Sequence, residues 1–338
     1  MARIVITGAS GFVGRHAVQA ARAAGHNVVA LTRRTQDDLG ADTAHALDLG
    51  APGAADALVP ILDGADAVIH AAAAMAGDDD AHEHGTLAPT RAVLKALEAV
   101  SRPVRLVLVS SFSVYGFASV PEGTLLTELT PLEPEPQKRD AYTRAKLAQE
   151  ELTVVAARET GLDLWLIRPG AIYGPGRLDT ARLGYRVRKR RLSPGGNPAI
   201  PAVDVARVGS GLLAAATVPK PQNRDVSGPL RDPAVVINLT DPEPLLQGAW
   251  ASAVGVKITP LPRVLVYKAA MGLELLGDLM PRLGARLPGA VLPPRLAARF
   301  RHLRYATQRA EDVLGVARDQ SSSVDLLVTY AEHAQQAR

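Results

Sequence analysis

The chain has 338 residues, 47% hydrophobic and 21% charged, enough to bury the core of one large or two ordinary domains and too apolar for wholesale disorder. Lys+Arg number 38 against 34 Asp+Glu; a net charge of +4 is too small to argue a nucleic-acid binder, and 4% aromatic residues leave little for base stacking. Cysteine is absent, so disulfides, thiolate nucleophiles, Cys-ligated zinc and iron–sulfur clusters are excluded.

In chain order, the opening MARIVITGASGFVG enters a strand pattern at once. It lacks a charged stretch followed by a long apolar run and a cleavage site, and no window holds 18 consecutive apolar residues. Neither a secretory signal nor a membrane span is expected, and the cytoplasm is the expected compartment. Short β-branched runs at 4–6, 28–31, 67–69 and 106–109 predict buried strands. Between and after them, the patterns over 13–24, 54–62, 88–100 and 142–159 predict helices, followed by a further apolar run at 164–167. Strand–helix alternation argues a parallel sheet covered on both faces. The second half is richer in Pro and Gly, carries a basic run at 186–191, offers one late strand at 235–239 and is mostly helical from about 244.

Thr7-Gly8-Ala9-Ser10-Gly11-Phe12-Val13-Gly14 follows the first strand and opens the first helix. Glycines there let the backbone turn sharply and approach a pyrophosphate, while the helix N-terminus supplies free N–H donors and a favourable dipole. The fold class expected is α/β, a Rossmann-type doubly wound parallel sheet with a smaller, mostly helical C-terminal substrate lobe. The nucleotide domain is expected over 1–175, with 202–240 returning to it, and the lobe over 176–201 and 241–338. The second strand runs out as Leu31-Thr32-Arg33-Arg34. An acid that would take the ribose hydroxyls of NAD is missing, and two guanidiniums stand where a 2′-phosphate would sit, so NADP(H) is expected in preference to NAD(H).

Tyr142-Thr143-Arg144-Ala145-Lys146 puts a phenol and an ammonium at i and i+4, on one helix face. A nearby ammonium lowers a phenol's pKa, so the pair can exchange a proton with a substrate oxygen while hydride moves at a nicotinamide. Lys is scarce, seven residues against 31 Arg, which gives this one more weight. Ser110-Ser111 end a strand, where parallel sheets place their ligands, and a hydroxyl there can donate to the same oxygen.

Five motifs occur in order: Gly8-x-x-Gly11-x-x-Gly14; Val68-Ile69-His70-Ala71-Ala72; Ser110-Ser111-Phe112-Ser113-Val114-Tyr115-Gly116; Tyr142-x-x-x-Lys146; and Arg168-Pro169-Gly170-Ala171-Ile172-Tyr173-Gly174-Pro175-Gly176. On these residues the chain resembles an extended short-chain dehydrogenase/reductase of the NAD-dependent epimerase/dehydratase family. The resemblance implies Tyr142 as general acid/base, Lys146 as its electrostatic partner and holder of the nicotinamide ribose, and Ser111 as the catalytic hydroxyl. It also implies that Gly8, Ser10, Gly11, Phe12, Val13 and Gly14 face the pyrophosphate, Asp48 and Leu49 the adenine, Ala71, Ala72 and Ala73 the cofactor wall, and Pro169, Gly170 and Ile172 the nicotinamide. Three departures stand out. Phe112 and Ser113 occupy the places of the dehydratases' Asp-Glu, which disfavours sugar dehydration. Thr86 is read at the place of a helix Asn, and the usual His-Val-Asp-Asp-like segment is Ala202-Val203-Asp204-Val205.

Two substrate classes compete. The 186–191 run, or Arg299, Arg301 and Arg304, would suit the diphosphate of a nucleotide sugar, although a solvated basic face explains both. The apolar segment 261–292 resembles the C-terminal region of 3β-hydroxysteroid-dehydrogenase-like members and of bacterial reductases of long-chain 3-keto compounds. It suits an apolar pocket, a membrane-surface contact or a homodimer face. The expectation is an oxidoreductase acting on a carbonyl or secondary alcohol of an apolar small molecule. A nucleotide-sugar 4-epimerase is the alternative, and a non-catalytic cofactor-sensing scaffold the second. His82-Glu83-His84 is expected in a solvated loop, with no metal site, and no nucleic-acid partner is expected.

Overall fold

Seven parallel strands form the main sheet of the computed structural model, which describes residues 1–34, 39–188, 190–221, 233–279, 292–316 and 322–336. The strands are β1 (Arg3–Thr7), β2 (Asn27–Thr32), β3 (Thr43–Ala46), β4 (Ala67–His70), β5 (Arg105–Val109), β6 (Leu164–Pro169) and β7 (Val235–Leu239). Their order is β7-β6-β5-β4-β1-β2-β3, so the winding reverses between β1 and β4. At such a reversal the connections leave in opposite directions and open a crevice beyond the strands' C-terminal ends.

Helices cover both faces. On one lie α1 (Phe12–Ala23) and α6 (Val205–Thr217), and on the other α2 (Ala54–Leu62), α4 (Ala88–Ala99) and α5 (Ala141–Thr160). Ile4, Ile6, Val107 and Ile167 alternate with Val5, Leu106, Leu108 and Leu166 between the two cores, as two-sided burial of each strand requires. Gly209 of α6 lies against α1: a Cβ there would stand 2.6 Å from the His16 carbonyl, so only glycine permits this approach.

The predicted strands and helices of the first half are all present, with ends shifted by at most two residues. β3 escapes the periodicity because it is an edge strand of Thr-Ala-His-Ala with no buried face. The loop expected around His82-Glu83-His84 is instead helical. α3 (Asp79–His82) is capped by Asp78, whose carboxylate accepts the Ala81 N–H at 3.0 Å, and passes through a π turn, Glu83–Leu87, into α4. Three consecutive Asp read as solvated loop by composition; the first is a helix cap. Among the described residues no group of His, Asp and Glu is placed to hold a metal ion.

The smaller lobe contains a ribbon of Lys257–Pro260, Arg190–Ser193 and Tyr185–Val187, helices α7 (Gln247–Ala253), α8 (Arg263–Leu279) and α9 (Pro293–Phe300), and after them α10 (Gln308–Leu314) and α11 (Ser323–Gln336). α7 and α11 share a core through Trp250 and Leu327. α10 leaves the lobe and buries Ala310 and Leu314 in the main core. The apolar segment 261–292 is described only up to 279 and at 292. There α8 buries Ala270 against Leu296 and Phe300 but exposes Val264, Leu265, Met271 and Leu275, so these side chains form surface rather than pocket. No helix among the described residues is long and apolar enough to cross a membrane.

Candidate active site

The crevice beyond β1, β2 and β4 is a cleft of about 670 Å³. Its floor is the glycine turn between β1 and α1. Gly8 has φ +67°, and a Cβ on it would lie 2.8 Å from the Ala72 nitrogen; a Cβ on Gly14 would lie 2.1 Å from the Gly8 carbonyl oxygen. Gly14 therefore serves helix–strand packing, while Gly8, Ser10 and Gly11 line the cleft. Arg33, Asp48, Leu49, Ala71, Ala72 and Ala73 line it too. Asp48 receives the Gly50 N–H at 3.0 Å, which shapes the loop after β3. Arg34 is exposed and outside the cleft lining, and its carbonyl accepts the Thr32 hydroxyl at 2.6 Å. Phe12 is also not a cleft wall; Arg177 stacks on its ring, 5.3 Å from the centroid.

This cradle fits a dinucleotide: a tight turn with no Cβ at Gly8 and Gly11, at a helix N-terminus, inside a cleft large enough for one. Gly11→Val should abolish nicotinamide dinucleotide binding, measured by calorimetry with NADPH and NADH, while the chain still melts cooperatively. Its Cβ would meet only the Gly8 carbonyl, at 3.1 Å, but its branches would fill the phosphate turn. Unchanged affinity would refute the turn as the pyrophosphate seat.

A second pocket, about 260 Å³, brings together Ser111, Tyr142 and Gly170. Ser111 ends the loop after β5, where its Oγ accepts the Ser113 N–H at 3.1 Å. Tyr142 stands in the first turn of α5, which Asp140 caps by accepting the Thr143 N–H at 2.9 Å. Burial raises the Tyr142 pKa, opposed by a hydrogen bond with Ser111 and by the charge of Arg177. Lys146 is buried one turn on and donates to the Val109 carbonyl and to Gln149 Oε1, both at 2.8 Å. Burial pulls its pKa down to about 8 against the attraction of Glu150. Spacing alone makes the ammonium the group that lowers the phenol. In the structure a hydrogen bond with Ser111 and the charge of Arg177 pull the phenol down, and burial outweighs them.

Three features escape sequence reasoning. Behind the site, Glu150 takes Arg168 at 2.8 and 2.6 Å and the Ser110 hydroxyl at 2.5 Å; Arg168 also donates to the Tyr115 hydroxyl, which donates to Asn238 at 2.6 Å. The His82 ring is buried edge-on to the Tyr142 ring, centroids 6.0 Å apart, and the Thr86 hydroxyl receives the Ala74 N–H. Finally, Arg139, Arg182, Arg295 and Arg299 line the second pocket, with Asp140 the one carboxylate among its described lining residues. Of these only Arg299 is among the sequence candidates. Arg301 and Arg304 turn away, to the carbonyls of Ala118 and Gly123, and the 186–191 run lies on the lobe's ribbon, where Arg191 pairs with Asp179. Lys189 of that run lies outside the described residues. Pro169, Ile172, Val13 and Lys146 line neither cavity.

A reversing parallel sheet, a glycine turn at the crevice and a Ser-Tyr-Lys set beside it define a dinucleotide-binding protein of the extended short-chain dehydrogenase/reductase type. The model of the NAD dependent epimerase/dehydratase family matches residues 4–202, and the chain belongs to that family. It is 29% identical over 191 residues to dTDP-6-deoxy-L-talose 4-dehydrogenase (NAD(P)(+)) of Kitasatospora kifunensis, covering 56% of this chain and 58% of that one. It is 31% identical over 226 residues to a 4-hydroxy-2-methyl-3-oxo-4-farnesyl-3,4-dihydroquinoline-1-oxide ketoreductase of Stigmatella aurantiaca, covering 63% and 64%. The matches thus span less than two thirds of either relative. The fold is that of MoeE5, solved with UDP-glucuronic acid and NAD, at TM-score 0.68 and 22% identity over 99% of this chain and 100% of that one. The UDP-glucose 4-epimerase of Thermus thermophilus, solved with NAD, also has TM-score 0.68, at 17% identity over 99% and 100%.

Proposed function

We propose that the chain is an NADP(H)-preferring oxidoreductase of a carbonyl or secondary alcohol, and that its substrate carries an anionic group beside the reacting carbon. The observation that carries this is the convergence of four arginines on the pocket holding Ser111 and Tyr142. Arg139 is neutralised by Glu133 at 2.6 Å, whereas Arg182 stacks on Phe117 and faces the Tyr305 hydroxyl rather than a carboxylate. Burial holds the Arg182 pKa below the usual arginine range, and Arg139 and Arg299 press it further down. An anion seated there relieves that repulsion and gains charge-assisted hydrogen bonds. Among the described residues of 261–292 none lines this pocket, so the apolar substrate has no comparable observation behind it.

A nicotinamide dinucleotide held in the first cleft would supply the hydride chemistry. Ser111 and Tyr142 hydrogen-bond the substrate oxygen, and Tyr142 gives or takes its proton. Lys146 holds the nicotinamide ribose and favours the phenolate. Asp48 and Leu49 face the adenine, Ala71, Ala72 and Ala73 form the wall, Pro169, Gly170 and Ile172 flank the nicotinamide, and Arg33, with Arg34 beyond the rim, takes the 2′-phosphate. A nucleotide-sugar 4-epimerase shares the anionic requirement and is the second reading.

One panel tests this. Neutral ketones, the same ketones bearing a carboxylate or phosphate, and UDP- and dTDP-sugars are offered with NADPH or NADH. Turnover of the anionic members with NADPH is expected, with KM rising about 10- to 100-fold in Arg182→Leu, the worth of one charged hydrogen bond. Equal use of neutral ketones would overturn the anionic substrate. A preference for NADH would overturn the cofactor assignment, and interconversion of a sugar nucleotide without net cofactor change would establish the epimerase.

A further inference from the structure

Two of the three N–H bonds of Lys146 are spent inside the protein, and the partners behind them form a single directed chain. An ammonium only donates, so Gln149 must present Oε1 to it, which leaves the Gln149 nitrogen to donate to Thr90 Oγ1 at 2.8 Å. Thr90 gives its own hydroxyl proton to the Thr86 carbonyl at 2.7 Å. Its oxygen therefore accepts from His70 Nε2 as well, 3.1 Å away, and His70 is the Nε2–H tautomer. Nδ1 then accepts from the Thr7 hydroxyl at 2.8 Å, and Thr7 Oγ1 accepts the Ala72 N–H at 3.2 Å. Thr7, His70, Thr90, Gln149 and Lys146 are all buried. Burial, with the Lys146 charge adding, lowers the His70 pKa to about 3, so the ring stays neutral and the chain keeps one direction. Every polar atom in it has one assignable role, which is how a buried network specifies a single geometry.

We propose that Gln149 is the positioning residue of Lys146: braced by Thr90 and His70, it aims the ammonium at the cofactor and tunes how firmly its proton is held. The proposal rests on the reading of Lys146 as the nicotinamide-ribose partner. The charged and titratable groups around the ammonium are few. From α5 itself come Tyr142 and Glu150, from β4 His70, and from β6 Arg168, which is bound to Glu150; His82 of α3 lies against the Tyr142 ring. A change at Gln149 is therefore read directly by Lys146.

The test is NADPH affinity by calorimetry on the full chain between pH 6 and pH 10, with Gln149→Glu, Gln149→Met and Thr90→Val beside the wild type. Wild-type binding should weaken as pH rises through about 8, where Lys146 loses its proton. Gln149→Glu places a carboxylate on the ammonium and should move that inflection up by about one pH unit; Gln149→Met removes the acceptor and should move it down by about one. Thr90→Val leaves Gln149 present but unbraced, and its inflection should also fall. Opposite shifts for Glu and Met do not follow from loss of packing, whereas a common inflection in all four proteins would overturn the proposal. Should Gln149→Glu fail to melt cooperatively, an unmoved inflection in Thr90→Val overturns it equally. Lys146→Met that binds NADPH like wild type would remove the reading on which the proposal rests, and the proposal with it.

Discussion

Tyr142→Phe is expected to lower turnover about 10³-fold while leaving NADPH affinity within about twofold of wild type. The substitution removes one hydroxyl from the second pocket and leaves the glycine turn, the cleft walls and Lys146 untouched. Its ring still fills the space against His82, so the fold should persist. The hydroxyl is the group that shares a hydrogen bond with Ser111, and without it no phenol remains to exchange the substrate proton. Steady-state kinetics on the substrate found in the panel, beside NADPH calorimetry, checks both halves. Retained turnover would remove Tyr142 from its role, and lost cofactor affinity would show that the variant had disturbed the cleft rather than the chemistry.

Arg168→Met is expected to cost about 3–5 kcal/mol of stability, read in urea unfolding, because it strands a buried carboxylate. Glu150 and Arg168 are 0% and 1% exposed, so water replaces neither partner. The loss also takes a donor from the Tyr115 hydroxyl, on whose ring the guanidinium stacks at 4.9 Å. Arg168→Met combined with Glu150→Leu should recover most of the loss, since removing both charges leaves no uncompensated ion. A single variant within about 1 kcal/mol of wild type would mean that Glu150 finds another cation or water. The pair braces β6 against α5 directly behind Lys146, so the single variant should also weaken NADPH binding.

Much of the fold was legible because its information is local. β-branched runs such as 106–109 bury both faces of a strand, and helical spacing over 13–24 buries one face of α1; each is a property of neighbours in the chain. The glycine turn and the Tyr142–Lys146 pair were legible for the same reason. Their chemistry depends on spacings of three or four residues inside one element. β3 was not legible, since its residues carry no apolar face. Nor was the helix over 79–82, where composition argued solvent and a cap decided otherwise.

By itself, then, the sequence determined an α/β sheet with a dinucleotide turn after its first strand and a phenol–ammonium pair one helical turn apart. Only the tertiary structure decided what surrounds that pair. Arg295 and Arg299 stand four residues apart on α9, but Arg139 comes from the loop before α5 and Arg182 from a short turn of the lobe, and no spacing relates these two to each other or to the α9 pair. His70, Thr90 and Gln149 meet behind Lys146 from β4, α4 and α5. The apolar run of α8, which composition left open as pocket, membrane contact or dimer face, exposes Val264, Leu265, Met271 and Leu275. The physical reason is one of range. Backbone hydrogen bonding and amphipathic periodicity act over a few residues and are written in order along the chain. Charge convergence and buried polar networks act through space, between side chains that only the packed sheet brings within about 3 Å.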